Sequence, residues 1–273
     1  MDAISLAGLS AGELTAAANA NLATHFGWVQ ARAPGMLVRD IDDLLLVDSG
    51  LPCDTFNLVS RARLTPASAP ERIREAIGHF TAAGRPFSWW VNPGDEPSDL
   101  GALLTEAGLQ AAETELAMAA DLSRLQRVGD LSPGGLEIQR VRTKRQLEDF
   151  ARVVAANWTP PDENVLRFYE LAAPLLLGDD AALWLYIGYL DGVPVATSEL
   201  TVGGGVAGLY NICTLEGYRR RGFATALTLR PLLDARKAGY RAAILQASDD
   251  GAKVYARIGF EPFGQITEYK PVG

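Results

Sequence analysis

The chain has only two cysteines in 273 residues, Cys53 and Cys213, and only two histidines, His25 and His79. The cysteines lie far apart and lack the spacing of a zinc site, so no metal is expected and a reduced, intracellular chain is the simplest reading. Both histidines belong to the first half. The second half is therefore expected to work without a histidine base and without a Ser–His–Asp triad. No apolar run approaches the length of a membrane span, and Met1-Asp2-Ala3-Ile4 gives no basic start to a secretory signal. No membrane partner and a cytoplasmic location are the expectations. Basic residues are the minority, 25 Lys and Arg against 33 Asp and Glu, for a formal net charge of −8. That balance argues against nucleic acid as the main partner.

Against this acidic background, one stretch concentrates positive charge. Residues 209–227 open as a strand with Leu209, Tyr210, Ile212 and Cys213. They turn through 214–218 into Arg219, Arg220, Arg221 and Gly222, and a helix follows at once with Phe223, Ala224 and Thr225. A helix N-terminus has unpartnered N–H groups and partial positive charge, the arginines add full charges, and Gly222 lets a ligand approach the backbone. The arrangement suits a phosphate group. It is not a Walker loop, because no Gly-Lys-Ser/Thr follows, and its single glycine is not a dinucleotide fingerprint. Downstream, the helix is expected to reach about Ala238, with Pro231 kinking it. A buried strand over 240–247, an N-cap at Ser248, and a short helix bearing Lys253, Val254 and Tyr255 complete the run to Gly259-Phe260.

Arg219-x-x-Gly222-x-Ala224 resembles the Arg/Gln-x-x-Gly-x-Gly/Ala loop of the GNAT superfamily of N-acetyltransferases. The run 252–260, A-K-V-Y-A-R-I-G-F, resembles the superfamily's second signature, a tyrosine-bearing helix that ends in Gly-Phe. The resemblance implies an α/β (α+β) GNAT fold, with a mixed, mostly antiparallel central sheet flanked by helices. It implies acetyl-CoA as co-substrate and no metal. The pyrophosphate would sit on Arg219, Arg220, Arg221, Gly222, Phe223, Ala224 and Thr225, and the pantetheine arm on the backbone of Ile212, Cys213 and Thr214. Two positions depart from the family pattern. Glu216-Gly217 replaces a proline often found before the loop, and Ser248 replaces an asparagine often found after the fifth strand.

The implied reaction is N-acetyl transfer from acetyl-CoA to a primary amine, on a small molecule or an amino terminus, by direct attack in a ternary complex. The alternative is a non-catalytic acyl-CoA-binding sensor or interaction protein. Tyr255 is the resemblance's candidate general acid, since a phenol with a pKa of about 10 holds its proton at neutral pH; its other role is to position the cofactor. Glu199 shares a strand face with Thr197 and Thr201 by alternation, and that face is either the acceptor cleft, making Glu199 a base, or solvent. Glu216 can instead pair with an arginine. Trp158, Phe168 and Tyr169 lie where such domains line the acceptor site, or else are core. Cys213 is an acyl-accepting nucleophile or, more simply, a small buried residue.

The first half reads as a helix opened by the capping box Ser10-x-x-Glu13, strands at 36–39, 44–48 and 56–64, and an amphipathic helix over 70–83. A strand at 86–91, a helix at 99–107, Gly108-Leu109 and a strand at 113–120 follow. Helix, strand, short helix, glycine plus hydrophobe, strand is also the order after Phe223. We therefore read two GNAT-like domains in tandem: a degenerate one at 1–125, a linker at 126–135 and an acetyl-CoA-binding one at 136–273. The first copy lacks the arginine–glycine loop, having only residues 64–70, Leu-Thr-Pro-Ala-Ser-Ala-Pro, at that place. It is expected to be a bystander or an interaction module, with Trp89 and Trp90 as packing or a ligand platform, in a monomer or homodimer. In the second copy, Thr143-x-x-Gln146 opens a helix to about Asn157, another helix spans 165–177, and Asp191-Gly192 closes a hairpin.

Overall fold

Ser10 accepts the N–H of Glu13, the Glu13 carboxylate accepts the N–H of Ser10 at 2.8 Å, and this capping box starts α1 (Ala11–Gly27). The computed structural model describes residues 6–41, 43–125 and 130–272; Met1 to Ile4, Asp42, and 126–129 of the expected linker lie outside them. After α1 come β1 (Leu37–Ile41), β2 (Leu44–Asp48), β3 (Leu58–Ser60), α2 (Ala69–Ala82), β4 (Ser88–Val91), α3 (Leu100–Glu106) and β5 (Leu109–Asp121). The second half adds β6 (Glu137–Arg140), α4 (Lys144–Ala155), α5 (Glu163–Leu176), β7 (Leu183–Leu190), β8 (Val193–Gly203) and β9 (Val206–Thr214). It ends with α6 (Phe223–Lys237), β10 (Ala242–Ala247), α7 (Asp249–Ile258) and β11 (Glu261–Pro271). Among the described residues no helix is long and apolar enough to cross a membrane.

All the strands join one eleven-stranded sheet, in the order β1-β2-β3-β4-β11-β5-β10-β9-β8-β7-β6. Only β3–β4 and β9–β10 pair parallel; the other neighbours are antiparallel. The mixed, mostly antiparallel sheet expected of a GNAT fold is therefore present. Its order reads alike from both sides of the centre, because each half places its last strand inside the other. β5 pairs with β11 on one edge and with β10 on the other, and β11 lies between β5 and β4.

Long-range pairing also explains where local signals fall short. β5, with the sequence LQAAETELAMAAD, is poor in β-branched and aromatic residues. Having partners on both edges, it is nonetheless extended throughout and outruns the expected 113–120. The expected strand at 56–64 shrinks to Leu58–Ser60, because Arg61 takes a left-handed φ of 55° and turns the chain.

In the core, Leu44, Leu46 and Val59 face α2 and α3, whereas Leu45, Val47 and Leu58 face α1. In the second half, Leu200, Ala243 and Leu245 pack under α6 and α7, and Leu185 and Ile187 pack under α4 and α5. α6 continues through Pro231 to Lys237. Pro231 has no N–H for the carbonyl of Leu227, and the Ser198 hydroxyl donates to that oxygen instead, at 2.7 Å.

α1 lies against both halves. Its Leu22 and Phe26 pack with Ala117, Ile266 and Trp90, and its Asn21 amide lies 3.0 Å from the carbonyls of Thr201, Gly203 and Val206. A Cβ at Gly203, Gly204 or Gly208 would collide with Thr24, Ala17 or Asn21 respectively. Small residues on β8 and β9 thus admit the helix, and the spacing of 17, 21 and 24 turns one of its faces onto them.

Candidate functional site

β9 and β10 pair in parallel only over Ala207–Leu209 and Ala243–Leu245. Beyond that, β10 stays with β5 up to Ala247↔Leu116, whereas β9 follows β8. The divergence coincides with a bulge. Asn211, at a left-handed φ of 50°, and Ile212 stand where β8 has Ser198 alone. The sheet splits here, and one edge of Tyr210, Asn211, Ile212, Cys213 and Thr214 has no strand partner among the described residues. The Thr214 hydroxyl is buried without a hydrogen bond. An extended ligand bearing amides finds both donors and acceptors along such an edge.

One end of the split leads to the basic loop. Arg219 Nε donates to the carbonyl of Thr214 at 3.1 Å, which ties the loop to the strand. Arg219, Arg220, Arg221 and Gly222 are exposed, and Arg221 lies over the rings of Tyr218 and Phe223. Among the described residues Glu216 pairs with none of the arginines. Gly222 is the N-cap of α6 at a φ of 83°, and no side chain caps the first turn. The N–H groups around Phe223, Ala224 and Thr225 are left for an anion. A cavity of about 210 Å³ beside them is lined by Gly222, Thr225, Val254, Arg257 and Pro133, with Asp130 and Ile258 at its wall. The charge and the hydrogen-bonding groups of this donor set fit coenzyme A.

At the vertex stands Glu199, opposite Tyr210 and 1% exposed. Its Oε1 lies 2.6 Å from His25 Nδ1 and accepts the Thr201 hydroxyl at 2.7 Å, and its Oε2 accepts the Asn211 amide at 3.0 Å. Burial pushes its carboxyl upward, but the charge and hydrogen bonds of His25, Thr201 and Asn211 outweigh that and hold it below the usual range. The alternative of a solvent-facing Glu199 is thereby excluded. Although His25 belongs to the first half in sequence, α1 carries it across to this side of the sheet. Its ring stacks on Tyr210 at 3.8 Å between centroids, while Tyr210 donates to Asn21 at 2.9 Å.

Tyr255 is partly buried on α7, and its phenol is pushed up to about 12 by burial, then by Cys213 and Glu115. Burial likewise raises the Cys213 thiol, which accepts the Asn157 amide at 2.9 Å. That shift favours the thiol over the thiolate at Cys213, a half-buried strand residue. Tyr169 is buried and joins the Glu199 network through Asn211. Phe168 stacks on Phe56 of the first half at 3.7 Å, and Trp158 is exposed at the surface. Ser248 caps α7 by accepting the N–H of Gly251. Trp89 is fully buried beneath α2 and α3, and Trp90 packs against Phe26. Sequence reasoning missed His25, Thr201 and Asn211. Only Asn211 carries a local sign, an asparagine inside an apolar strand, a residue type that after glycine accepts left-handed backbone more readily than most.

Residues 145–260 match the acetyltransferase (GNAT) family. No curated protein matches the chain. Among solved structures, a GCN5-related N-acetyltransferase from Kribbella flavida is similar over 93% of this chain and 96% of its own, with a TM-score of 0.69 and 23% identity. A tandem GNAT protein from the clavulanic acid biosynthesis pathway is similar over 95% and 94%, with a TM-score of 0.57 and 14% identity. A GCN5-related N-acetyltransferase from Sphaerobacter thermophilus is similar over 84% and 80%, with a TM-score of 0.58 and 15% identity. These structural likenesses span both halves of the sheet. The chain has the GNAT fold, and over residues 145–260 it is similar to the acetyltransferase (GNAT) family.

Proposed function

We propose that the protein is an N-acetyltransferase that moves an acetyl group from acetyl-CoA to a primary amine, on a small molecule or an amino terminus, within a ternary complex. The observation that carries this is the split between β9 and β10, with a basic loop at one end and the buried Glu199 at the other. Acetyl-CoA would supply the thioester carbonyl. The backbone of Ile212, Cys213 and Thr214 holds its arm, and Arg219, Arg220, Arg221 and the first turn of α6 hold its phosphates. Tyr255 keeps its proton at neutral pH and lies near Cys213, so it donates to the leaving sulfur. The burial that makes the phenol a weaker acid also makes a thiolate beside it a stronger base. Glu199 supplies the negative charge that favours removal of the amine proton. α1, α4 and α5 cover the Glu199 face, which is the acceptor side, and Tyr169 and Phe168 border it.

The test is turnover. The full chain is incubated with acetyl-CoA and a panel of primary amines, and thiol release is followed alongside mass analysis of each amine. Release that depends on the amine, with a gain of one acetyl group, supports the reading. Tight binding of coenzyme A without transfer to any amine would identify a sensor instead.

A further inference from the structure

The Glu199 carboxylate is sealed. His25, Thr201 and Asn211 occupy its oxygens, and it is 1% exposed. Thr201 is fully buried, and Asn211 cannot carry a proton. Of its partners, only His25 combines an ionisable group with access, its side chain being 18% exposed. A proton leaving this site for solvent therefore has to pass through the imidazole.

The imidazole is also aimed and locked. Nδ1 points at the carboxylate, so the neutral ring carries its proton there and donates it to Glu199. That leaves the Nε2 lone pair without a protein partner among the described residues. The ring is held flat on Tyr210, the first residue of the open edge, and α1 is clamped one turn earlier by Asn21. The charged and ionisable groups around it are few. Glu199 comes from β8 and Tyr210 from β9, while Tyr169 on α5 reaches the same carboxylate through Asn211. α1 adds only Glu13, at its far end.

We propose that His25, delivered by the first half, is the base that takes the acceptor's proton, and that Glu199 is the positioning residue that fixes its tautomer. This rests on the transferase reading above. In the step, the amine nitrogen forms a bond to the thioester carbonyl carbon and gives one proton to His25 Nε2. The carbon–sulfur bond breaks with its electron pair on sulfur, and the Tyr255 hydroxyl protonates that sulfur. The imidazolium proton then returns through solvent to the tyrosinate. The net products are the acetamide and free coenzyme A thiol. The first half is thus a donor of catalytic chemistry to the second.

The experiment compares pH profiles of kcat/KM for the full chain, for His25→Gln and for Glu199→Gln, with n-butylamine and benzylamine as acceptors. In the wild type, kcat/KM calculated for the neutral amine, the form that attacks, should fall on the acid side as the base becomes protonated. His25→Gln should abolish that limb and lower kcat by roughly 10²–10⁴-fold, with Kd for coenzyme A changing less than about threefold. Glu199→Gln should keep the limb but move it to lower pH, because the imidazolium loses its counter-charge. The reverse pattern, with the limb lost in Glu199→Gln and merely moved in His25→Gln, would make Glu199 the base and overturn the proposal. So would a wild-type profile and rate in His25→Gln. Absence of transfer by the wild type overturns both the proposal and the reading beneath it, so the two failures are distinguishable.

Discussion

The parallel pairs β3–β4 and β9–β10 hold equivalent places in the two halves, and only the second opens. After Leu58↔Ser88 and Val59↔Trp89, the first half sends residues 92–99 back across the gap. The Glu96 N–H donates to Ala62, the Leu64 N–H donates to Glu96, and the Asn92 amide donates to Ser60, all within 3.1 Å. Asp95 is enclosed there, with its carboxyl pushed up to about 7 by burial against the hydrogen bonds from Asn92. In the second half Ser248 alone separates β10 from α7, so nothing folds back and the edge of β9 stays open. The helices after the two gaps differ as well. α6 begins at a left-handed glycine behind three arginines, whereas α2 begins behind Ser68, itself helical, with Pro70 in the first turn. One fold thus carries either a slot or a plug, according to the length of one loop and the chemistry of another.

The largest expected effect comes from separating the two regions. Residues 130–273 alone lack β5 and α1, so β10 and β11 lose the strand between them and the sheet loses its helix cover. We expect that fragment to be unfolded and unable to bind coenzyme A, and co-expression with 1–125 to restore one site per pair of fragments. Calorimetric titration of each preparation checks this. Wild-type affinity in the short fragment would mean that the second half is self-sufficient despite the shared strands.

That exchange is also what was hardest to read from sequence. The capping boxes at Ser10 and Thr143, the Asp191-Gly192 hairpin and the stop at Gly259 are local chemistry, and each falls where the sequence puts it. The basic loop and the tyrosine-bearing helix were readable too, since charge and glycine placement are carried within a few residues. The insertion of β5 between β10 and β11 has no local sign. Its Ala- and Glu-rich sequence is extended because of partners more than a hundred residues away. The same holds for His25, which meets Glu199 across 174 positions of chain. Counting histidines by half could not show this contact, because the halves of this chain are not separate in space.

The next effect sharpens the contrast between α7 and α3. Four residues before the terminal glycine, α7 has Tyr255 and α3 has Leu104, which is fully buried. Tyr255→Phe keeps the ring and makes the position as inert as its counterpart. If the hydroxyl protonates the departing sulfur, kcat should fall by roughly 10²–10⁴-fold. Kd for acetyl-CoA should move by less than about tenfold, since a neutral hydrogen bond is worth about 0.5–1.5 kcal/mol. Single-turnover rates, read with Kd, separate this from a positional role, in which both would weaken modestly. Gly222→Val acts on binding instead. A Cβ there meets only Pro133 at 3.5 Å, an ordinary contact, but the φ of 83° strains any other residue by about 1–2 kcal/mol. The added bulk also faces the anion. Titration with coenzyme A should show affinity weakened at least about tenfold with the fold retained; unchanged affinity would remove the loop from the site.

The smallest effect tests how α6 tolerates a proline that α2 avoids. In α2, Pro70 sits in the first turn, where its missing N–H leaves no helical carbonyl unpaired. In α6, Pro231 lies mid-helix and deprives Leu227 of a partner, which Ser198 supplies from β8 at 2.7 Å. Ser198 is fully buried, so neither group has water to turn to. Ser198→Ala should therefore lower stability by about 1–3 kcal/mol, the cost of leaving a buried carbonyl unsatisfied. Pro231→Ala restores an N–H within the helix, and in that background Ser198→Ala should cost about 1 kcal/mol less. Urea unfolding of the four proteins completes the cycle. Additive losses would mean that the hydroxyl is not what replaces the missing helical bond. A coupling of that size would show that the strand beside the slot also braces the helix whose first turn is proposed to hold the cofactor.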